Sequence, residues 1–78
     1  MDKVSKFLLR LSRERRERIM PIVARITRNE LENLDCTKLG GRDNEYRVRL
    51  GAIRIQFVKT SIGNSITKIS FKGDTTYR

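Results

Sequence analysis

From Tyr46 to Phe57 the chain alternates apolar and polar residues with a period of two, and this run constrains the fold more than any other feature. Tyr46, Val48 and Leu50 alternate with Arg47 and Arg49. After Gly51-Ala52 the pattern resumes, with Ile53, Ile55 and Phe57 flanking Arg54 and Gln56. Such alternation sends successive side chains to opposite faces of a strand. Two runs joined by a Gly-containing pair predict a β-hairpin over Tyr46 to Lys59 with one apolar face and one basic face. With a two-residue loop, Leu50 pairs with Ile53, Arg49 stands opposite Arg54, and Arg47 stands opposite Gln56.

The first part of the chain has a different period. Val4, Phe7, Leu8 and Leu11 form the i, i+3, i+4, i+7 stripe of an amphipathic helix, and Ile19, Ile22, Val23 and Ile26 form a second. Ser12 fits the N-cap of the second helix, with Glu14 in its first turn. Pro21 predicts a kink or break near Met20, because proline lacks the backbone donor and crowds the preceding turn. Asn29 is expected to end the helix. Residues 29–45 read as a loop in which Leu31 and Leu34 dock on the core and Gly40 to Asn44 form a turn. Ser61 to Asn64 is a further turn. Ser65 to Phe71 is a third strand, with Thr67, Ile69 and Phe71 on one face and Lys68 and Ser70 on the other. Lys72 to Arg78 forms a polar tail.

The 78 residues suffice for one domain, 1–78. The expected class is α+β: an N-terminal αα-hairpin (about 3–28) packed on a three-stranded antiparallel β-meander (about 46–71). A chain this short is marginally stable alone, and a partner would add stability by mass action. The single cysteine, Cys36, excludes an intrachain disulfide and fits a reducing compartment. With no His to activate it, Cys36 reads as a small semi-buried side chain rather than a nucleophile. No stretch has the length of a membrane span and no signal-peptide apolar region is present, so the expectation is a soluble cytoplasmic protein.

Charge separates the two halves. Residues 1–45 hold 11 basic and 8 acidic side chains, a net of +3, whereas residues 46–78 hold 7 basic side chains and only Asp74, a net of +6. Such a surface suits phosphate backbones or an acidic protein. The cross-strand pair Arg49–Arg54 costs roughly a few tenths to 1 kcal/mol, and the hairpin offers neither arginine an acidic neighbour. A local cost without local compensation points to function. An anion between the guanidinium groups would relieve it, and the planar fork of arginine suits bidentate phosphate contact. The alternative is a merely solvated sheet face. Lys68 and Lys72, extending the same face, weigh against it. The run Arg13, Arg15, Arg16, Arg18 is interleaved with Glu14 and Glu17 and reads as a solvated helix face. No phosphate-binding loop, Cys/His metal set or HExxH helix is present, and neither a metal hydrolase nor a Ser-His-Asp hydrolase fits a chain without histidine. Chemistry on Arg, Lys and Tyr points to phosphate transfer, in which cations stabilise a dianionic transition state.

Four segments carry a family resemblance: Lys38-Leu39-Gly40-Gly41, Tyr46-Arg47-Val48-Arg49-Leu50-Gly51, Arg54-Ile55-Gln56-Phe57, and Ile69 to Tyr77, which closes with Asp74-Thr75-Thr76-Tyr77. Together with the helical half, they resemble the RelE/ParE toxin superfamily of bacterial toxin–antitoxin modules over nearly the whole chain. The resemblance implies a ribosome-dependent mRNA endonuclease that drives the ribose 2′-hydroxyl onto the adjacent phosphate, without a cofactor or metal. It assigns catalysis to Arg47, Arg49, Arg54, Lys72 and Tyr77. Arg54 would stabilise the phosphate, Lys72 would act as general acid or leaving-group stabiliser, and Tyr77 as base or stacking platform. Lys38, Arg42, Gln56 and Lys68 would add RNA contacts. The implied partners are messenger and ribosomal RNA and a cognate antitoxin that covers the basic face with an acidic or amphipathic segment. ParE-like binding of DNA gyrase without catalysis, or an inactive member that binds RNA or protein, are the alternatives within the resemblance. The chain departs from the family in starting at the helix rather than a β-strand, which implies one more exposed sheet edge, and in having Phe71 where His or Arg is common.

Overall fold

The structure, a computed structural model, describes residues 3–41 and 44–71. Two helices, α1 (Lys3–Arg10) and α2 (Arg13–Thr27), precede four strands: β1 (Asp35–Lys38), β2 (Glu45–Leu50), β3 (Ile53–Thr60) and β4 (Gly63–Phe71). The strands form one antiparallel sheet in the order β1-β2-β3-β4. The α+β class therefore stands, with a fourth strand that the alternation did not signal.

That strand, β1, lies inside the segment expected to be a loop. It has only four residues; Cys36, opposite Val48, and Lys38 share the helix side, and of the four only Cys36 packs on the core. One apolar side chain carries no period, so only pairing with β2 makes this segment a strand. Its presence also covers the β2 edge that a three-stranded sheet leaves bare.

The helix ends follow from local chemistry. Ser12 caps α2, its Oγ accepting the Arg15 N–H at 3.2 Å. At the other end Asn29 adopts φ 61°. The Asn29 N–H donates to the Ile26 carbonyl at 3.0 Å and the Glu30 N–H to the Arg25 carbonyl at 2.8 Å, the paired bonds of a Schellman ending. Asn64 of β4 adds a tertiary cap, its Nδ2 donating to the Ile26 carbonyl at 2.9 Å and to Asn29 Oδ1 at 3.1 Å. Next to it Gly63 (φ 128°) passes so close to α2 that a Cβ would stand 3.2 Å from the Thr27 carbonyl oxygen. Of the kink or break expected at Pro21, the break does not occur: α2 runs from Arg13 to Thr27 with Pro21 inside it. Pro21 is exposed, as is Glu17, whose carbonyl it cannot reach, so water can serve the unpaired oxygen.

The helices cover one face of the sheet. Leu8, Leu11, Ile19 and Ile26 meet Val48, Ile53, Ile55, Phe57 and Ile69 in a single core. Phe57, Ile26, Ile55 and Val48 are fully buried, each worth about 1.5–3 kcal/mol relative to exposure. Two details of β4 differ from the alternation. It begins at Gly63, leaving Ser61-Ile62 as the turn, and a bulge opposite Gln56/Phe57 shifts its register. The extra residue, Thr67, is exposed, and Ile66 takes the inward place expected for it, packing on the core with Ile69 and Phe71.

Candidate nucleic-acid interface

The sheet face away from the helices is organised by register into two adjacent rows. One runs Thr37–Arg47–Gln56–Lys68 and the other Asp35–Arg49–Arg54–Ser70, each across all four strands. The hairpin has the predicted two-residue loop and the predicted pairs, with Arg49 facing Arg54 and Arg47 facing Gln56. Gly51 adopts φ 59°, the left-handed conformation such a turn favours. Four of the nine predicted site residues, Arg47, Arg49, Arg54 and Gln56, thus sit together, and Lys68 extends them across β4.

Their environments differ. Arg49 is half exposed, and its Nε donates to Asp35 Oδ2 at 3.1 Å. The acidic neighbour lacking in the hairpin comes from β1, so the Arg49–Arg54 repulsion is partly compensated within the fold. Arg54 is partly buried and makes no ion pair among the described residues. Arg47 is also partly buried. Its Nε is enclosed and has no hydrogen-bond partner among the described residues. An enclosed donor left without a partner costs about 1–3 kcal/mol. Glu45, at the far end of β2, is a second carboxylate on the face.

Other predicted residues lie elsewhere. Lys38 pairs with Tyr46 in register, which puts it on the helix side of the sheet, away from the arginines. Arg42, Lys72 and Tyr77 fall outside the described residues. Phe71 sits on the helix side, its ring 5.3 Å from that of Phe7 and 5.4 Å below the Arg15 guanidinium. An apolar residue there serves packing. On the same side Tyr46 stacks on Phe57 (5.6 Å, 17°) under the Lys59 ammonium at 4.6 Å. Burial pushes the Cys36 thiol above its ordinary range; Lys59 opposes this and Asp35 adds to it. The thiol is therefore protonated at neutral pH and a poor nucleophile.

A cleft of about 300 Å³ opens where α2 meets the hairpin turn, lined by Arg15, Arg18, Ile19, Leu50, Ile53 and Phe71 among others. Asp35 and this cleft are the features sequence reasoning missed. Neither has a local signal, because each is made by elements distant in the chain. No described helix is long and apolar enough to cross a membrane, and no group of His, Cys, Asp and Glu among the described residues could hold a metal ion. Comparison with known proteins returns no match: no family model fits the chain, and neither a curated protein nor a solved structure matches it.

Proposed function

We propose that this chain is a RelE-like toxin of a type II toxin–antitoxin system, a ribosome-dependent mRNA endonuclease that stops translation. The observation that carries the reading is the open sheet face on which Arg47, Arg49, Arg54, Gln56 and Lys68 lie in two adjacent rows. The resemblance stated for the sequence supplies the ribosome, the RNA chemistry and the antitoxin.

The reaction needs no group that this chain lacks. The 2′-oxygen gives up its proton and forms a bond to the adjacent phosphorus as the 5′-oxygen leaves and takes up a proton. The products are a 2′,3′-cyclic phosphate and a 5′-hydroxyl. Charge builds on the phosphorus oxygens, and fixed guanidinium groups lower the barrier by meeting it. Arg54 and Arg47 suit that role, since neither is neutralised by a carboxylate among the described residues. Lys72 as acid and Tyr77 as base or stacking platform complete the assignment.

Expression in cells followed by primer extension on mRNA tests the proposal. Cleavage at ribosome-occupied codons is expected. Growth arrest with DNA damage and intact mRNA would replace it with gyrase inhibition. No toxicity at all would leave a binding protein without catalysis.

A further inference from the structure

Asp35 has no role in the sequence resemblance, yet among the described residues it is the acidic side chain that contacts the arginine pair. It is the first residue of β1, directly opposite Arg49, and Arg54 follows in the same row. The contact is made at Arg49 Nε. The four N–H bonds on the two terminal nitrogens of Arg49 have no partner among the described residues, so they remain available to a ligand. We propose that Asp35 is a positioning residue: it holds Arg49 by Nε beside Arg54, so that the terminal amino groups of Arg49 meet the phosphate on which Arg54 acts. This rests on the endonuclease reading above.

The physical case has two parts. Without Asp35 the two guanidinium groups repel each other, and Arg49, half exposed, has room to swing into water. A carboxylate on a face that binds phosphate also repels the ligand. Asp35 therefore weakens RNA binding while fixing the geometry of catalysis, and its two effects have opposite signs. An ion pair that served only to hold β1 on β2 would have neither effect on the reaction, and the backbone ladder already joins those strands.

The test is cleavage of mRNA on programmed ribosomes by the full chain, with RNA affinity measured in parallel. Asp35→Asn is expected to lower kcat by up to about 10²-fold, the scale of a group misplaced by about 1 Å, while RNA affinity is unchanged or tighter. Asp35→Glu restores most of the rate. In an Arg49→Ala background the Asp35→Asn change has no further effect on kcat, an outcome that a purely structural role would not produce. Circular dichroism establishes that each variant is folded; if Asp35→Asn is not, Asp35→Ser carries the same expectation. Wild-type kcat in a folded Asp35 variant, or additive losses in the double variant, would overturn the proposal while leaving the endonuclease reading intact. Absence of cleavage by the wild-type chain would overturn both.

Discussion

The chain has two groups of arginines, and the fold treats them differently. On α2, Arg13 pairs with Glu17 at 3.1 Å, Arg15 covers the Phe71 ring, and Arg16 reaches the Leu8 carbonyl at 3.4 Å. These side chains bind the helix to itself and to its neighbours. On the sheet, Arg47 and Arg54 have no carboxylate partner among the described residues, and Arg49 alone is paired. The run Arg13 to Arg18 holds four arginines and the sheet face three; what differs is that most of the helix arginines meet a partner within the protein. A cation already engaged contributes to stability, whereas one left without an acceptor is available to a ligand. The comparison therefore predicts a double dissociation, with sheet substitutions read in RNA chemistry and helix substitutions read in stability.

The largest effect belongs to Arg54→Ala. On programmed ribosomes it should lower the cleavage rate by about 10²–10³, the range for removing one preorganised donor from a developing oxyanion, with little change in thermal stability. Arg13→Ala and Arg16→Ala, assayed alongside, should cleave at the wild-type rate. Full activity in Arg54→Ala would break the distinction between the two groups at its strongest point.

Arg47 sharpens the comparison because its two effects should oppose each other. Arg47→Met keeps the apolar stem and removes the enclosed Nε. Denaturant unfolding should find the variant more stable by about 1 kcal/mol, since an unsatisfied buried donor costs 1–3 kcal/mol. Its RNA affinity should fall, and the slope of log affinity against log salt should flatten by about 0.7, one phosphate contact on a single strand. Lower stability in Arg47→Met would mean that the guanidinium is already satisfied within the protein. Arg15→Ala should behave in the opposite way, losing about 0.5–1 kcal/mol with its cation–π contact and leaving cleavage unchanged.

How much of this was legible in the sequence depended on the range of the interactions. The hairpin register followed from the period-two run and the Gly51-Ala52 loop, because both are local. The ends of α2 were legible for the same reason: Ser12 and Asn29 act within one turn. Strand β1 was not, since Asp-Cys-Thr-Lys has a single apolar residue and becomes a strand only by pairing with β2. The Asp35–Arg49 contact was hidden with it. The bulge at Thr67 was invisible too, because alternation supposes an unbroken ladder, and the ladder shifts where β4 crosses Gln56/Phe57. Pro21 signalled a kink or break, and α2 is not broken there: the position is exposed, so water can serve the carbonyl the proline leaves unpaired. The pairing of Arg49 with Arg54 was therefore a sequence result, while the compensation supplied by a third strand required the fold.

The smallest effect is at the Arg13–Glu17 pair, and it tests the helix side of the comparison directly. Both side chains are mostly exposed, at 87% and 67%. An i,i+4 pair of this kind contributes about 0.3–0.5 kcal/mol and is screened by salt. Arg13 also lies in the first turn, where the helix dipole disfavours a cation, which offsets part of that gain. Arg13→Ala should therefore change stability by less than about 0.5 kcal/mol at low salt, and the difference should vanish as salt rises. RNA affinity should stay at the wild-type value at every salt concentration. A change in the salt slope of RNA binding would instead mean that the helix run touches phosphate, and the basic interface would have to extend from the sheet face onto α2.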